Sequence, residues 1–78
     1  MIKLFDRDFT IIETSNILKL IRVHPNVNKN KVFYGIKVRC KDKGFLLKYD
    51  EDVITREHDF DRLIKSVKSN YKEVDITL

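Results

Sequence analysis

The chain is poor in cysteine, proline and glycine. Its 78 residues include one cysteine, Cys40, together with one proline and two glycines. A single thiol cannot form an internal disulfide, which excludes the disulfide-stapled secreted domains and favours the reducing cytoplasm. Two glycines are too few for a phosphate-binding loop. With so little glycine and proline the sequence contains no linker, and residues 1–78 are expected to form a single small domain.

Long hydrophobic runs are also missing. Charged residues interrupt the first eight positions, so the N-terminus lacks the apolar region of a signal peptide. No segment elsewhere approaches the length that crosses a bilayer, and we expect no membrane contact. Apolar residues nevertheless make up 42% of the chain and are spread along it, which is typical of a folded protein.

Residues that could support catalysis or bind a metal are few. Glu57, His58, Asp59 and Asp61 are close in sequence, but consecutive helical residues point about 100° apart, so they do not form a zinc ligand set. We expect a solvated, acidic helix start instead. Cys40 shares its strand face with apolar residues, which indicates a small buried side chain rather than a reactive thiolate. The sequence therefore predicts no enzyme, no metal site and no cofactor.

A β-hairpin is the clearest structural pattern. Apolar residues alternate with small and basic ones over residues 32–40, which predicts a half-buried strand. A second alternating strand covers residues 45–50. Between them, Asp42-Lys43-Gly44 supplies turn residues, and Gly44 is able to take a positive φ.

Two registers of this hairpin are compatible with its pattern. A two-residue loop places Cys40 opposite Leu47 and Arg39 opposite Lys48, whereas a four-residue loop places Cys40 opposite Phe45. A loop of odd length would mix buried and exposed side chains on one face. Either register buries Cys40 and directs Arg39 and Lys48 to solvent on the same side.

Three further segments have the composition of strands. Residues 17–24 are rich in Ile, Leu and Val but alternate poorly, so either both faces are partly covered, as in a central strand, or a β-bulge switches the alternation. Residues 2–5 and 10–13 predict two short strands joined by a turn. Residues 74–78 alternate as an edge strand does.

A C-terminal helix completes the expected fold. Its apolar stripe has the spacing i, i+3, i+4 and i+7, at Phe60, Leu63, Ile64 and Val67. Thr55 is a suitable N-cap, with Asp52 as the earlier alternative, and Asn70 is able to end the helix. The predicted class is α+β: an antiparallel meander of three to five strands with one C-terminal helix packed on one face.

Positive charge is concentrated in the strands. Residues 16–48 contain nine basic residues and one acidic residue, a net charge of +8, whereas residues 49–78 carry −3 and the whole chain +4. The predicted basic sheet face consists of Lys37, Arg39, Lys41 and Lys48, with Phe33 beside them. Such a face either keeps a small protein soluble or binds an acidic surface or nucleic acid.

We predict a non-catalytic interaction module that binds an acidic protein partner through this face. Like charges at Arg39 and Lys48 would cost stability if they lay opposite each other, and an acidic partner would offset that cost. The alternative is weak, sequence-tolerant nucleic-acid binding, for which Phe33 alone is a thin stacking platform. The tail strand would allow a weak homodimer. The excess of lysine, isoleucine and asparagine indicates an AT-rich genome, such as that of a bacterium, a phage or a mobile element.

Overall fold

The computed structural model describes residues 1–69 and 75–77. The elements in chain order are β1 (Ile2–Lys3), β2 (Ile11–Ile12), β3 (Ile17–Val23), β4 (Gly35–Cys40), β5 (Gly44–Lys48), α1 (Val53–Ser69) and β6 (Asp75–Thr77). Strands β1 and β2 form a small antiparallel sheet, and a second sheet has the order β5-β4-β3-β6. The predicted α+β class is confirmed, with β3, β4 and β5 as an antiparallel meander followed by one helix.

The tail forms the predicted edge strand over Asp75–Thr77. It pairs with β3 in parallel, so the larger sheet is mixed. Residues 74 and 78, which the prediction included, lie outside the described residues. Pairing of two copies along this edge stays a prediction.

The two short N-terminal strands are confirmed, although they are shorter than predicted. The Asp6 carboxylate closes the connection between them by accepting hydrogen bonds from the Thr10 amide and hydroxyl, both at 2.7 Å. The Arg7 N–H donates to the Lys48 carbonyl at 2.8 Å, which holds this hairpin against the end of β5.

The β4–β5 hairpin has neither of the two predicted registers. Val38 lies opposite Phe45, and Arg39 lies opposite Gly44. The Cys40 N–H donates to the Lys43 carbonyl at 2.8 Å, so the turn residues are 41 and 42. Gly44 therefore belongs to β5 and does not use a positive φ. A shift of two residues keeps every side chain on its own face, so alternation alone does not distinguish these registers.

The predicted strand at residues 32–40 begins later than expected. Val32 is 71% exposed, because the preceding chain closes a bridge between Asn26 and Lys31 and β4 starts only at Gly35. Tyr34 packs partly buried against the core, as its position in the alternation predicts.

Strand β3 has both of the features proposed for its irregular pattern. It lies between β4 and β6, and its register with β4 shifts between Ile17 and Lys19. This bulge leaves Leu18 exposed while Ile17 and Leu20 are both buried.

The helix begins at Val53, so the alternative N-cap is the correct one. The Asp52 carboxylate accepts hydrogen bonds from the Thr55 amide at 3.0 Å and from the Thr55 hydroxyl at 2.6 Å. The prediction of Thr55 as the cap is wrong, and no acidic residue lies in the first turn. The predicted terminator, Asn70, lies outside the described residues.

One hydrophobic core joins the helix to the sheet. Phe60, Leu63 and Val67 are buried and Ile64 is partly buried, as the apolar stripe predicts. They share the core with the expected side of the hairpin, at Ile36, Val38, Cys40, Leu47 and Tyr49.

None of the described helices has the length and apolarity to cross a membrane. The helix covers one face of the sheet, and the basic side chains of β4 point from the other.

Candidate functional site

The sheet face opposite α1 carries the predicted basic residues. Side chains alternate between the two faces along a strand, and paired residues share a face. The register therefore places three rows across β3, β4 and β5 on this side: Lys19, Arg39 and Gly44, then Ile21, Lys37 and Leu46, then Val23, Gly35 and Lys48. We call these rows, together with Phe33 and Lys41, the open face.

Three of the predicted site residues lie together near the hairpin turn. Lys37, Arg39 and Lys41 are exposed and line a shallow groove of about 350 Å³. Lys41 is in the turn itself, one residue after β4, so its charge extends the open face beyond the end of the strand.

The other two predicted residues lie at the opposite end of the open face. The Phe33 ring covers Gly35, where an added Cβ would lie 3.0 Å from the ring and 2.7 Å from the Leu47 carbonyl. The Lys48 ammonium lies 5.3 Å from the centre of the Phe33 ring, a cation–π distance. Both side chains are half-buried. Phe33 thus contributes to the packing of the sheet and does not project as a free ring.

The predicted site did not include the apolar residues of the open face, which we call the apolar patch. Leu46 is 47% exposed, and Ile21 is half-buried in the same row. Leu46 joins Val23, Phe33 and Lys37 in lining a groove of about 400 Å³. The sequence contained a signal for this patch, because Leu46 shares the strand face of Lys48 in the alternating pattern.

Five cations outside the open face have carboxylate partners. The pairs are Arg7–Asp50, Arg22–Glu57, Arg56–Glu57, Arg62–Asp59 and Lys65–Asp61. The hydrogen bond from Arg7 lowers the pKa of Asp50, and that from Arg22 lowers the pKa of Glu57, so both carboxylates are ionised at neutral pH. Within residues 1–69 and 75–77, by contrast, Lys37, Arg39 and Lys41 form no ion pair.

The expected like-charge contact involves a different lysine. Arg39 does not lie opposite Lys48, as one predicted register required, but opposite Gly44 on β5. Its neighbour on β3 is Lys19, so two basic residues are still adjacent on the sheet.

A buried polar network lies on the other side of the sheet. Asp59 is fully buried, and its carboxylate accepts hydrogen bonds from the Phe5 amide at 2.7 Å, the Tyr49 hydroxyl at 2.8 Å and Arg62 at 2.9 Å. Burial, reinforced by the bond to Asp59, raises the pKa of Tyr49 well above its ordinary value. The prediction of a solvated Asp59 is wrong, because this residue lies one helical turn before Leu63 on the buried face of α1.

Arg56 is a second buried charge that sequence reasoning missed. One of its guanidinium nitrogens donates to the carbonyls of Val23 at 3.0 Å and Gly35 at 3.3 Å, which ties α1 to the ends of β3 and β4. Arg56 and Asp59 lie seven and four residues before Leu63, so the helical spacing of the apolar stripe passes through both. Their helical spacing from Leu63 indicated that both residues face the core, but charged residues are normally assigned to the surface.

Cys40 and the acidic residues of the helix were the candidate catalytic and metal-binding groups. Burial raises the pKa of the Cys40 thiol, with a smaller contribution from Asp42, so this thiol is protonated at neutral pH. In the described part of the chain, no three His, Cys, Asp or Glu side chains come close enough to hold a metal ion.

Comparisons of the chain with protein families, with curated protein sequences and with solved structures return no match.

Proposed function

We propose that this chain is an interaction module whose open face binds an acidic segment of a protein partner in the cytoplasm of a bacterial or phage-infected cell. The observation that carries the proposal is that Lys37, Arg39 and Lys41 lie together on one face and have no carboxylate partner among the described residues. Anionic groups of a partner would supply the missing counter-charge.

The apolar patch favours a protein partner over a polyanion. Leu46 and Ile21 flank Lys37 in the middle row, so apolar side chains lie beside cations on the open face. Protein interfaces combine apolar and polar contacts in this way, whereas a polyanion would use the cations alone. A complementary segment would carry carboxylates beside apolar side chains.

Nucleic acid fits the open face less well. Proteins that bind single strands stack bases on exposed aromatic rings. Phe33 is the one aromatic residue among the open-face residues, and it is half-buried over Gly35 with Lys48 beside it. Stacking would require this ring to leave its packing position.

A titration of the isotope-labelled protein followed by NMR tests the proposal. The protein probe is an acidic peptide of about ten alternating valine and glutamate residues, and the nucleic-acid probe is a thymidine oligonucleotide of similar length. We expect the peptide to shift the amide signals of Lys37, Arg39 and Leu46. Its affinity should fall less steeply than that of the oligonucleotide between about 50 and 200 mM salt, because phosphate contacts release condensed counterions. The proposal would be overturned if the oligonucleotide bound more tightly than the peptide, or if the peptide shifted only amide signals of α1.

A further inference from the structure

The outer edge of β5 is available for pairing. In the strand order β5-β4-β3-β6, β5 has a neighbour on one side only. We infer that the acidic partner binds as an extended strand added along this edge, an inference that rests on the proposed function and specifies how the partner is held. Strand addition to a sheet edge is a common mode of peptide recognition, in which backbone hydrogen bonds give affinity and alternate side chains give specificity.

Hydrogen bonds identify the backbone groups that point outward. The Cys40 N–H donates to the Lys43 carbonyl and the Tyr49 N–H donates to the Tyr34 carbonyl, each at 2.8 Å. In an antiparallel ladder, alternate residues of a strand bond to the same neighbour. Residues 45 and 47 therefore bond to β4, whereas Gly44, Leu46 and Lys48 direct their N–H and C=O groups away from it.

The N-terminal hairpin shows where the free edge ends. The Lys48 carbonyl already accepts the Arg7 N–H from outside the sheet, which agrees with the outward direction of alternate residues. The corresponding groups of Gly44 and Leu46 have no hydrogen-bond partner in residues 1–69 or 75–77. Both residues are exposed, and the free edge therefore extends from Gly44 to Leu46.

The free part of this edge, from Gly44 to Leu46, carries no proline, bulge or charge. Natural edge strands are blocked by proline, by a bulge or by an inward charge. The sequence of β5 is Gly-Phe-Leu-Leu-Lys, its pairing with β4 has no register shift, and its one charge lies at the end that Arg7 occupies. An extended segment would thus find unpaired backbone groups beside an apolar side chain, Leu46.

Charge complementarity selects an acidic strand as the occupant. A second copy of the chain paired through β5 would bring its own Lys41, Lys43 and Lys48 close to the same residues of the first copy, and like charges disfavour that contact. A strand with carboxylates on its open-face side would instead meet the basic rows. On the other side of β5, Phe45 is half-buried and shares a groove of about 250 Å³ with Ile11 and Met1. The occupant therefore alternates acidic and apolar residues.

The test compares the alternating valine–glutamate peptide with a version N-methylated at its central residues. Methylation keeps the charges and removes the N–H donors, so its affinity for the wild-type protein should fall on the order of tenfold. In the complex with the unmethylated peptide, hydrogen exchange of the Leu46 amide should slow by a similar factor or more. Leu46→Pro, which removes an N–H that β4 does not use, should weaken binding further than the control Leu46→Ala.

The outcomes separate this inference from the proposed function. One outcome is that peptide methylation and Leu46→Pro leave the affinity unchanged while Lys37→Glu with Arg39→Glu still lowers it. Strand addition would then be wrong, and the proposal that the open face binds an acidic partner would be retained. If those two charge reversals also leave the peptide affinity unchanged, both proposals fail. A free protein that sediments as a dimer with its Leu46 amide already protected would mean that a second copy occupies the edge. Should Leu46→Pro not fold, the comparison of the two peptides on the wild-type protein decides.

Discussion

Asp59 connects three parts of the chain through one carboxylate. It accepts hydrogen bonds from the N-terminal hairpin at Phe5, from Tyr49 after β5 and from its own helix at Arg62. A fully buried carboxylate is tolerated when such donors replace its water, and the donors are in turn left unsatisfied if it is removed. At the residue scale, the packing of a small core depends on this one polar group.

Replacing Asp59 should therefore be severely destabilising. Asp59→Ala leaves Tyr49 and the Phe5 amide without an acceptor, and we expect the free energy of unfolding to fall by about 3–5 kcal/mol in urea titrations. Asp61→Ala, which removes an exposed helical ion pair with Lys65, should cost less than about 0.5 kcal/mol. Equal effects of the two substitutions would show that the buried network contributes nothing.

The two glycines offer a second matched comparison. Gly35→Ala would place a Cβ 2.7 Å from the Leu47 carbonyl and 3.0 Å from the Phe33 ring, whereas the nearest atom to a Cβ at Gly44 is the Val38 carbonyl oxygen at 3.7 Å. We expect Gly35→Ala to cost about 1–3 kcal/mol and to shift the ring signals of Phe33. Gly44→Ala should leave stability nearly unchanged. A stable Gly35→Ala protein with unshifted ring signals would contradict the position of Phe33 over Gly35.

At the scale of elements, α1 stabilises the sheet from one side and leaves the other free. Its apolar stripe was predictable, because Phe60, Leu63 and Val67 follow helical spacing. The exposed and buried sides of the β4–β5 hairpin were predictable for the same reason. Its pairing was not, since alternation fixes faces but allows a slip of two residues. The inward positions of Arg56 and Asp59 were missed because charged side chains are rarely buried unless tertiary partners, invisible in a sequence, satisfy them.

Truncating the helix stripe tests the docking of α1. Leu63→Ala should lower the free energy of unfolding by about 2–5 kcal/mol, because this side chain is fully buried and its removal leaves a cavity. The control is Ile54→Ala on the same helix, where the side chain is 80% exposed and the effect should stay below about 0.5 kcal/mol. Similar losses at both positions would mean that the helix does not dock through this stripe.

The Asp52 N-cap of α1 should make the free energy of unfolding depend on pH in the acidic range. The bond from the Thr55 hydroxyl, reinforced by the Thr55 amide, lowers the pKa of Asp52 in the folded state. A lowered folded pKa contributes stability that is present above the unfolded value of about 3.9 and is lost as pH falls through the folded value. Asp52→Asn should therefore be less stable than the wild type at pH about 6, and the gap should narrow below pH about 4. A gap that stays constant on acidification would exclude this contribution of the carboxylate.

At the scale of the whole molecule, the two sides of the sheet differ in charge and in packing. The helix side holds the core, the buried carboxylate and ion pairs such as Arg22–Glu57. The open face holds Lys37 and Arg39, which have no carboxylate partner in the described residues, beside Leu46 and a sheet edge with free backbone groups. The alternating sequence pattern predicted which cations lie on this face. The apolar patch and the free edge could be identified only from the strand order and pairing of the structure.

Two double charge reversals test the central claim that the open face binds an acidic segment. Lys37→Glu with Arg39→Glu changes the open face, and Lys3→Glu with Lys65→Glu changes two exposed lysines elsewhere while lowering the net charge by the same amount. The measurement is the affinity of each folded variant for the valine–glutamate peptide at about 50 mM salt. The open-face variant should bind at least about tenfold more weakly than the wild type, and the control within about twofold, because local charge complementarity governs the contact. Equal weakening in both variants, or none in either, would contradict the account.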